Sequence, residues 1–249
     1  MSDFVTYPAV APVGDREVNV IWAPDDIVGG ALLSRCEAML AESERRRYSS
    51  LRSEEGRRRF LIARALTRHV LSLNCGMAPE DLVFGANRWG KPFLLYPEDS
   101  GLAFNIAHTK GMVAIAVARA NAIGVDVERV LPREENVEIA ERLFSVRENE
   151  ALRTLPPMLR AERFYDYWTL KEAYVKGRGL GLSLPFDRFA IVFGERPCIA
   201  ARPDIDDGRQ WQLDLRSLEG GYRLAIAIDL PNATGSFGIR LSQALPEKV

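Results

Sequence analysis

Three acidic residues and a lysine stand in two short stretches whose spacing suits phosphate chemistry. In Gly124-Val125-Asp126-Val127-Glu128 the acids are two apart, so on a strand both project from one face while Val125 and Val127 pack behind. Two carboxylates that close repel each other unless a cation sits between them, and Mg²⁺ with oxygen ligands is the simplest resident. Two solvated acids on an edge strand would give the same pattern. In Trp168-Thr169-Leu170-Lys171-Glu172-Ala173-Tyr174-Val175-Lys176, residues 168, 172 and 176 are successive i, i+4 neighbours on one helix face. Trp168 anchors that face, leaving Glu172 and Lys176 at its margin. An ordinary surface ion pair has the same spacing and is worth a few tenths of a kcal/mol. The glycines at 177, 179 and 181 suit either backbone close to a ligand or a plain helix end.

Further candidates for phosphate binding lie earlier in the chain. His108 is flanked by Asn105, Thr109 and Lys110, all potential donors, although a lone histidine between strands is more often structural. Gly90-Lys91-Pro92 offers a lysine on a fixed turn. Arginines at 45, 46, 47, 52, 57, 58, 59, 64 and 68 make a basic helical region, either a solvated face or a bidentate phosphate binder. The chain has 28 Arg but only 5 Lys, and Lys91, Lys110, Lys171 and Lys176 all fall in or beside these segments. Only Lys248 lies apart.

The elements that must position these residues follow from periodicity. Residues 18–23 read as a strand, and 31–73 as helix with a break at Tyr48-Ser49-Ser50. Strands are expected at 82–84, 93–96, 102–106, 112–118 and 122–127. Helices are expected at 136–144, after Ser145, and from about 160 to 177. The Ser145–Glu148 spacing matches a capping box. Strands then follow at 189–193, 211–215, 222–228 and 237–241. A helix followed by Pro79-Glu80-Asp81 parallels one followed by Pro185-Phe186-Asp187, and residues 113–117 parallel 224–228. These echoes predict an α+β protein of two similar halves, 1–121 and 122–249, with the seam at Asn121-Ala122.

The 249 residues are 47% hydrophobic and carry a net charge of −1, so overall charge gives no reason to expect a nucleic-acid partner. No stretch approaches the roughly 20 apolar residues of a membrane helix, and the N-terminal sequence does not read as a signal peptide. Three cysteines without metal spacing predict a reducing compartment, hence the cytoplasm, with thiols filling the core. Two histidines exclude a multi-histidine metal site.

Taken in order, Gly-Lys-Pro (90–92), Phe-Asn-x-x-His (104–108), Gly-x-Asp-x-Glu (124–128), Phe-Ser-x-x-Glu (144–148) and Trp-x-x-Lys-Glu-Ala-Tyr-x-Lys (168–176) resemble the 4′-phosphopantetheinyl transferases, specifically the larger surfactin-synthetase-activator type. The resemblance covers about residues 45–190. It implies a pseudo-dimer of two α+β halves in a monomeric chain, with coenzyme A and Mg²⁺ bound between them. The implied reaction moves the 4′-phosphopantetheine arm of coenzyme A to a serine of an apo acyl or peptidyl carrier protein, releasing adenosine 3′,5′-bisphosphate. By position, Asp126, Glu128 and Glu172 would hold Mg²⁺, with Asp126, Glu172 and Lys176 as the catalytic set. Glu172 would be the base for the serine, and Lys176 would stabilise or protonate the leaving phosphate. His108 would contact the 3′-phosphate, with Asn105, Thr109, Lys91, Arg47, Arg52, Arg58 and Arg59 contributing to coenzyme A binding. Glu148 matches a further acidic position near the site, or caps the helix at Ser145. The family usually has serine where Ala107 stands, a departure that leaves room for a non-catalytic coenzyme A or nucleotide binding module. A metal-free protein with three surface acids is the remaining alternative.

Overall fold

A computed structural model describes residues 4–7, 9–26, 30–133, 135–201, 204–231 and 235–246; Lys248 lies outside them. The chain forms two compact units. The first comprises residues up to Asn87, Pro92–Arg119 and the segment from Phe237 onward; the second comprises Arg88–Lys91 and Ala120–Ser236.

The first unit contains β1 (Phe4–Tyr7), β2 (Glu17–Pro24), α1 (Gly30–Ala38), α2 (Glu42–Ser50), α3 (Glu54–Cys75), β3 (Val83–Ala86), β4 (Pro92–Tyr96), β5 (Ala103–Thr109) and β6 (Met112–Ala118). The expected helical stretch 31–73 is therefore three helices, interrupted after Ala38 as well as after Ser50. Ser53 caps α3 by accepting from the Gly56 amide at 3.1 Å, and Gly76 ends it with φ 64°. The 22-residue α3 lays Leu61, Ile62, Leu66 and Val70 over Ile21, Val113, Ile115 and Val117 of β2 and β6.

The second unit contains β7 (Ile123–Arg129), α4 (Glu135–Leu143), α5 (Val146–Thr154), α6 (Pro157–Arg178), β8 (Phe189–Val192), β9 (Cys198–Ala201), β10 (Gln210–Leu218) and β11 (Tyr222–Leu230). Its succession echoes that of the first from β2 onward: one strand, shorter helices, a 22-residue helix, 3₁₀ turns (one in the first unit, two in the second), a hairpin, then two strands. The sheets correspond as well. β6 lies between β2 and β5, and β11 lies between β7 and β10, all antiparallel. The architecture is α+β with small, mainly antiparallel sheets.

The last strand, β12 (Gly238–Pro246), departs from the expected division at 122–249. It pairs parallel with β2 and antiparallel with β1, extending the sheet of the first unit to five strands. Its outer neighbour β1 covers an edge that would otherwise be exposed. Strands β1 and β9 were not legible by periodicity, both being four residues long. Cys36 is buried as expected, but Cys75 is half-buried and Cys198 exposed, so the thiols are not uniformly core filler. Among the described residues no helix is long and apolar enough to cross a membrane.

The back of α6 is held by a fully buried ion pair. Lys171 lies 2.8 Å from Glu148, and both side chains are 0% exposed. The ammonium also donates to the carbonyls of Phe186 (2.7 Å) and Phe189 (2.6 Å) and lies 4.1 Å from the centre of the Phe189 ring. Burial pulls Lys171 down to about 8, against the pull of Glu148. Glu148 accepts from the amides of Ser145 (2.9 Å) and Ile191 (2.8 Å), so it completes the capping box of α5 and ties that helix to β8 and α6. Of the two roles open to Glu148, the structure shows the capping one. Lys171→Met should cost roughly 3–5 kcal/mol in urea unfolding, because it leaves a buried carboxylate without its counter-charge. Adding Glu148→Gln should recover part of that loss.

Candidate active site

The sheet of the second unit meets α6 across a face of small residues. Gly124 on β7 and its cross-strand neighbour Ala227 lie beside Ala173 and Gly177 of α6. A Cβ on Gly124 would sit 1.9 Å from the Ala173 carbonyl oxygen and 2.4 Å from the Gly177 amide nitrogen, so strand and helix touch backbone to backbone. Strand alternation then puts Asp126 and Glu128 on the same face as Gly124, towards α6.

Asp126 is buried, and its Oδ1 accepts a hydrogen bond from Lys176 Nζ at 2.6 Å. Its Oδ2 is buried with no hydrogen-bond partner. Burial and then the nearby Asp126 charge hold Glu172 above the ordinary carboxylate range, opposed by Lys176. Burial by itself would lower Lys176, but Asp126, with Glu172 and Glu128, holds it above its usual value. Lys176 is thus a fixed cation, and Glu172 is a carboxylate poised to accept a proton. Glu128 is half-buried one step further along β7. Beside it opens a cavity of about 370 Å³ walled by Phe164, Tyr165 and Trp168, with Arg133 and Asn136 on its rim.

These acids were tested as cation ligands against the orphaned oxygen of Asp126. A buried carboxylate oxygen without a donor, next to a second carboxylate that it repels, is the chemistry a divalent cation satisfies. Among the described residues no three His, Cys, Asp or Glu side chains are gathered as a complete metal cage, and Lys176 holds one oxygen of Asp126. Mg²⁺ does not require such a cage. It is commonly held by one or two carboxylates, with waters and substrate phosphates filling the remaining positions.

The residues expected at the coenzyme A phosphates are divided in their roles. Asn105 is buried on β5, Thr109 is half-buried, and His108 is exposed towards the end of that strand. Ala107 is buried and faces Ala114 of β6. Arg58 donates to the Asp25 carbonyl at 2.6 Å, and Arg59 pairs with the Asp25 carboxylate at 2.7 Å and with Glu55 at 2.5 Å. Arg68 and Arg64 meet Glu44, at 2.9 and 3.6 Å. Much of the basic region therefore holds its own unit together, while Arg47 and Arg52 are exposed. Lys91 belongs to the second unit, where its ammonium donates to the carbonyls of Ile123 (2.9 Å) and Gly177 (2.8 Å). Burial, then Arg209, lowers it to about 8.

Two family models divide the chain between them. The "4′-phosphopantetheinyl transferase, N-terminal" model matches residues 22–120, and the "4′-phosphopantetheinyl transferase superfamily" model matches residues 122–227. A 4′-phosphopantetheinyl transferase of Bacillus subtilis is 30% identical over 70% of this chain and 80% of its own length. The chain belongs to this family. Other relatives are the transferase HetI of Nostoc sp., 36% identical over 59% of this chain and 62% of its own, and Sfp of Bacillus subtilis, 29% identical over 78% and 89%. A solved holo-[acyl-carrier-protein] synthase of Thermotoga maritima aligns with 43% of this chain and 62% of its own, at TM-score 0.36 and 22% identity.

For this phosphopantetheinyl transferase, the backbone contact at Gly124 generates a direct test. Gly124→Ala should destabilise the fold by about 1–3 kcal/mol in urea unfolding, the usual cost of overpacking a tight interior. It should also lower transfer beyond what the lost stability accounts for, since α6 must retreat from Asp126.

Proposed function

We propose that this enzyme transfers the 4′-phosphopantetheine arm of coenzyme A to the serine hydroxyl of an apo acyl or peptidyl carrier protein, with Asp126, Glu172 and Lys176 as its catalytic set. The observation that carries the residue roles is the pairing of a partnerless buried oxygen on Asp126 with a proton-hungry Glu172 and a protonated Lys176.

In this reading the serine oxygen forms a bond to the phosphorus that bears the pantetheine arm. The bond from that phosphorus to the bridging oxygen breaks, and adenosine 3′,5′-bisphosphate leaves. Glu172 takes the serine proton, directly or through one water, which its raised affinity for protons favours. Lys176, kept charged by Asp126, offsets the charge that accumulates on the departing phosphate. Its firm hold on its proton makes it an electrostatic partner rather than an acid. Asp126 and Glu172, with Glu128 beside them on β7, would offer carboxylate oxygens to Mg²⁺ together with the diphosphate, and the ion would neutralise charge on the oxygens of the breaking bond. The resemblance would give His108 and Thr109 near the end of β5, Asn105 earlier on that strand, and the exposed Arg47 and Arg52 a part in binding the nucleotide phosphates.

Incubation with coenzyme A, Mg²⁺ and an apo carrier should add one phosphopantetheine to the carrier, read by mass spectrometry, and EDTA should stop the addition. Glu172→Gln should lower kcat by roughly 10²–10⁴-fold, the scale of general base catalysis. It should also raise the thermal midpoint of the metal-free protein, because the carboxylate is disfavoured in the fold. A wild-type protein that binds coenzyme A but never modifies a carrier would overturn this reading in favour of a binding module. The pH profile should follow Glu172: activity falls as pH drops and the carboxylate takes up its proton. That loss should begin at higher pH than for an unperturbed glutamate.

A further inference from the structure

Lys91 sits in a Gly-Lys-Pro turn of the kind that offers a cation to a phosphate, yet its ammonium is directed elsewhere. It donates at 2.9 Å to the carbonyl of Ile123, the first residue of β7, and at 2.8 Å to that of Gly177, in the last turn of α6. Asp126 follows three residues after the first acceptor, and Lys176 immediately precedes the second. We infer that Lys91 is a positioning residue for the transfer reaction: it clamps the start of the acid-bearing strand to the end of the lysine-bearing helix and so sets the separation of Asp126 and Lys176.

Three features of the junction support this assignment, which rests on the proposed catalytic set. First, the Gly177 carbonyl belongs to the helix end, where intrahelical donors run out and an external cation is favoured by the helix dipole. Second, strand and helix are already in backbone contact there. The position a Cβ would take on Gly124 is 2.4 Å from the Gly177 amide nitrogen, so a clamp across this point tolerates little slack. Third, the influences on the Lys91 ammonium are burial and Arg209, and both act to lower it. This ammonium is half-buried and already bonded to two backbone carbonyls.

The experiment compares the full-length wild type with Lys91→Met, measuring kcat, KM for coenzyme A and, by calorimetry, the affinity for coenzyme A. Positioning predicts a fall in kcat of roughly 10–100-fold with KM and affinity unchanged, the scale expected when catalytic groups move by about 1 Å. In Lys91→Ala, added propylammonium should restore part of kcat and leave KM alone. If Lys91→Met does not fold, as judged by circular dichroism, Lys91→Arg replaces it. Arg keeps the charge but alters the reach, so the same split is expected. A rise in KM and loss of affinity with kcat intact would make Lys91 a coenzyme A ligand and overturn the inference. Unchanged kcat in a folded variant, or no rescue of a folded Lys91→Ala, would overturn it too. A wild type that transfers nothing would instead sink the proposed function, so the two failures are distinguishable.

Discussion

The arrangement of the proposed catalytic residues depends on how closely α6 approaches β7. An α-helix usually packs on a sheet through interdigitating side chains, but here Gly124, Ala225, Ala227, Ala173 and Gly177 strip the interface of bulk until the backbones touch. Polar side chains flanking such a contact cannot spread apart. Asp126 meets Lys176 at 2.6 Å, and Glu172 is near enough to feel the Asp126 charge. Gathering two carboxylates around one ammonium leaves the group short of positive charge, and the partnerless oxygen of Asp126 is the visible sign. On the proposed reading, the site is organised for a cation and an anionic substrate before either arrives. Such preorganisation lets the electrostatics act on the reaction without rearranging during it.

Lysines on the same helix are used in opposite ways. Lys171 turns into the core, where Glu148, two carbonyls and an aromatic ring replace water completely. Lys176, five residues on, stays at the margin and faces Asp126 and Glu172. The first holds α6 against α5 and β8, and the second works from the scaffold so fixed. An ion pair as dry as Lys171–Glu148 is a weak source of net stability, since desolvation consumes most of the Coulomb gain. What it supplies is register: only one rotation of α6 about its axis satisfies Glu148, Phe186 and Phe189 together. That rotation presents Glu172 and Lys176 to β7.

The acids were legible in the sequence because their signals are local. Period two placed Asp126 and Glu128 on one strand face, and an i, i+4 spacing placed Glu172 with Lys176 on one helix face. The Ser145–Glu148 capping box was legible for the same reason. The arginines were not, because their partners are remote: Arg59 answers to Asp25 and Arg68 to Glu44, on elements that come together only in the fold. Lys91 was harder still. Its acceptors are backbone carbonyls, which every residue carries, so no side-chain pattern marks them. The return of β12 to the first sheet was hidden likewise, since parallel pairing with β2 leaves no turn signature to read.

The raised proton affinity of Glu172 links the site's function to its stability. A carboxyl group that binds its proton more tightly folded than unfolded contributes least to stability when ionised. Its penalty is therefore absent below the unfolded value and complete once pH exceeds the folded one. When ionised, Glu172 stands in the form that burial disfavours, beside an acid that repels it. Removing that charge would ease the fold and remove the base, so stability alone gives no reason for an acid at this position. In the proposed mechanism a cation brought with the diphosphate would supply what the carboxylates lack, and their repulsion would be relieved with the substrate in place. On that reading, energy withheld from folding would be returned on binding, which would favour the loaded state over the empty one.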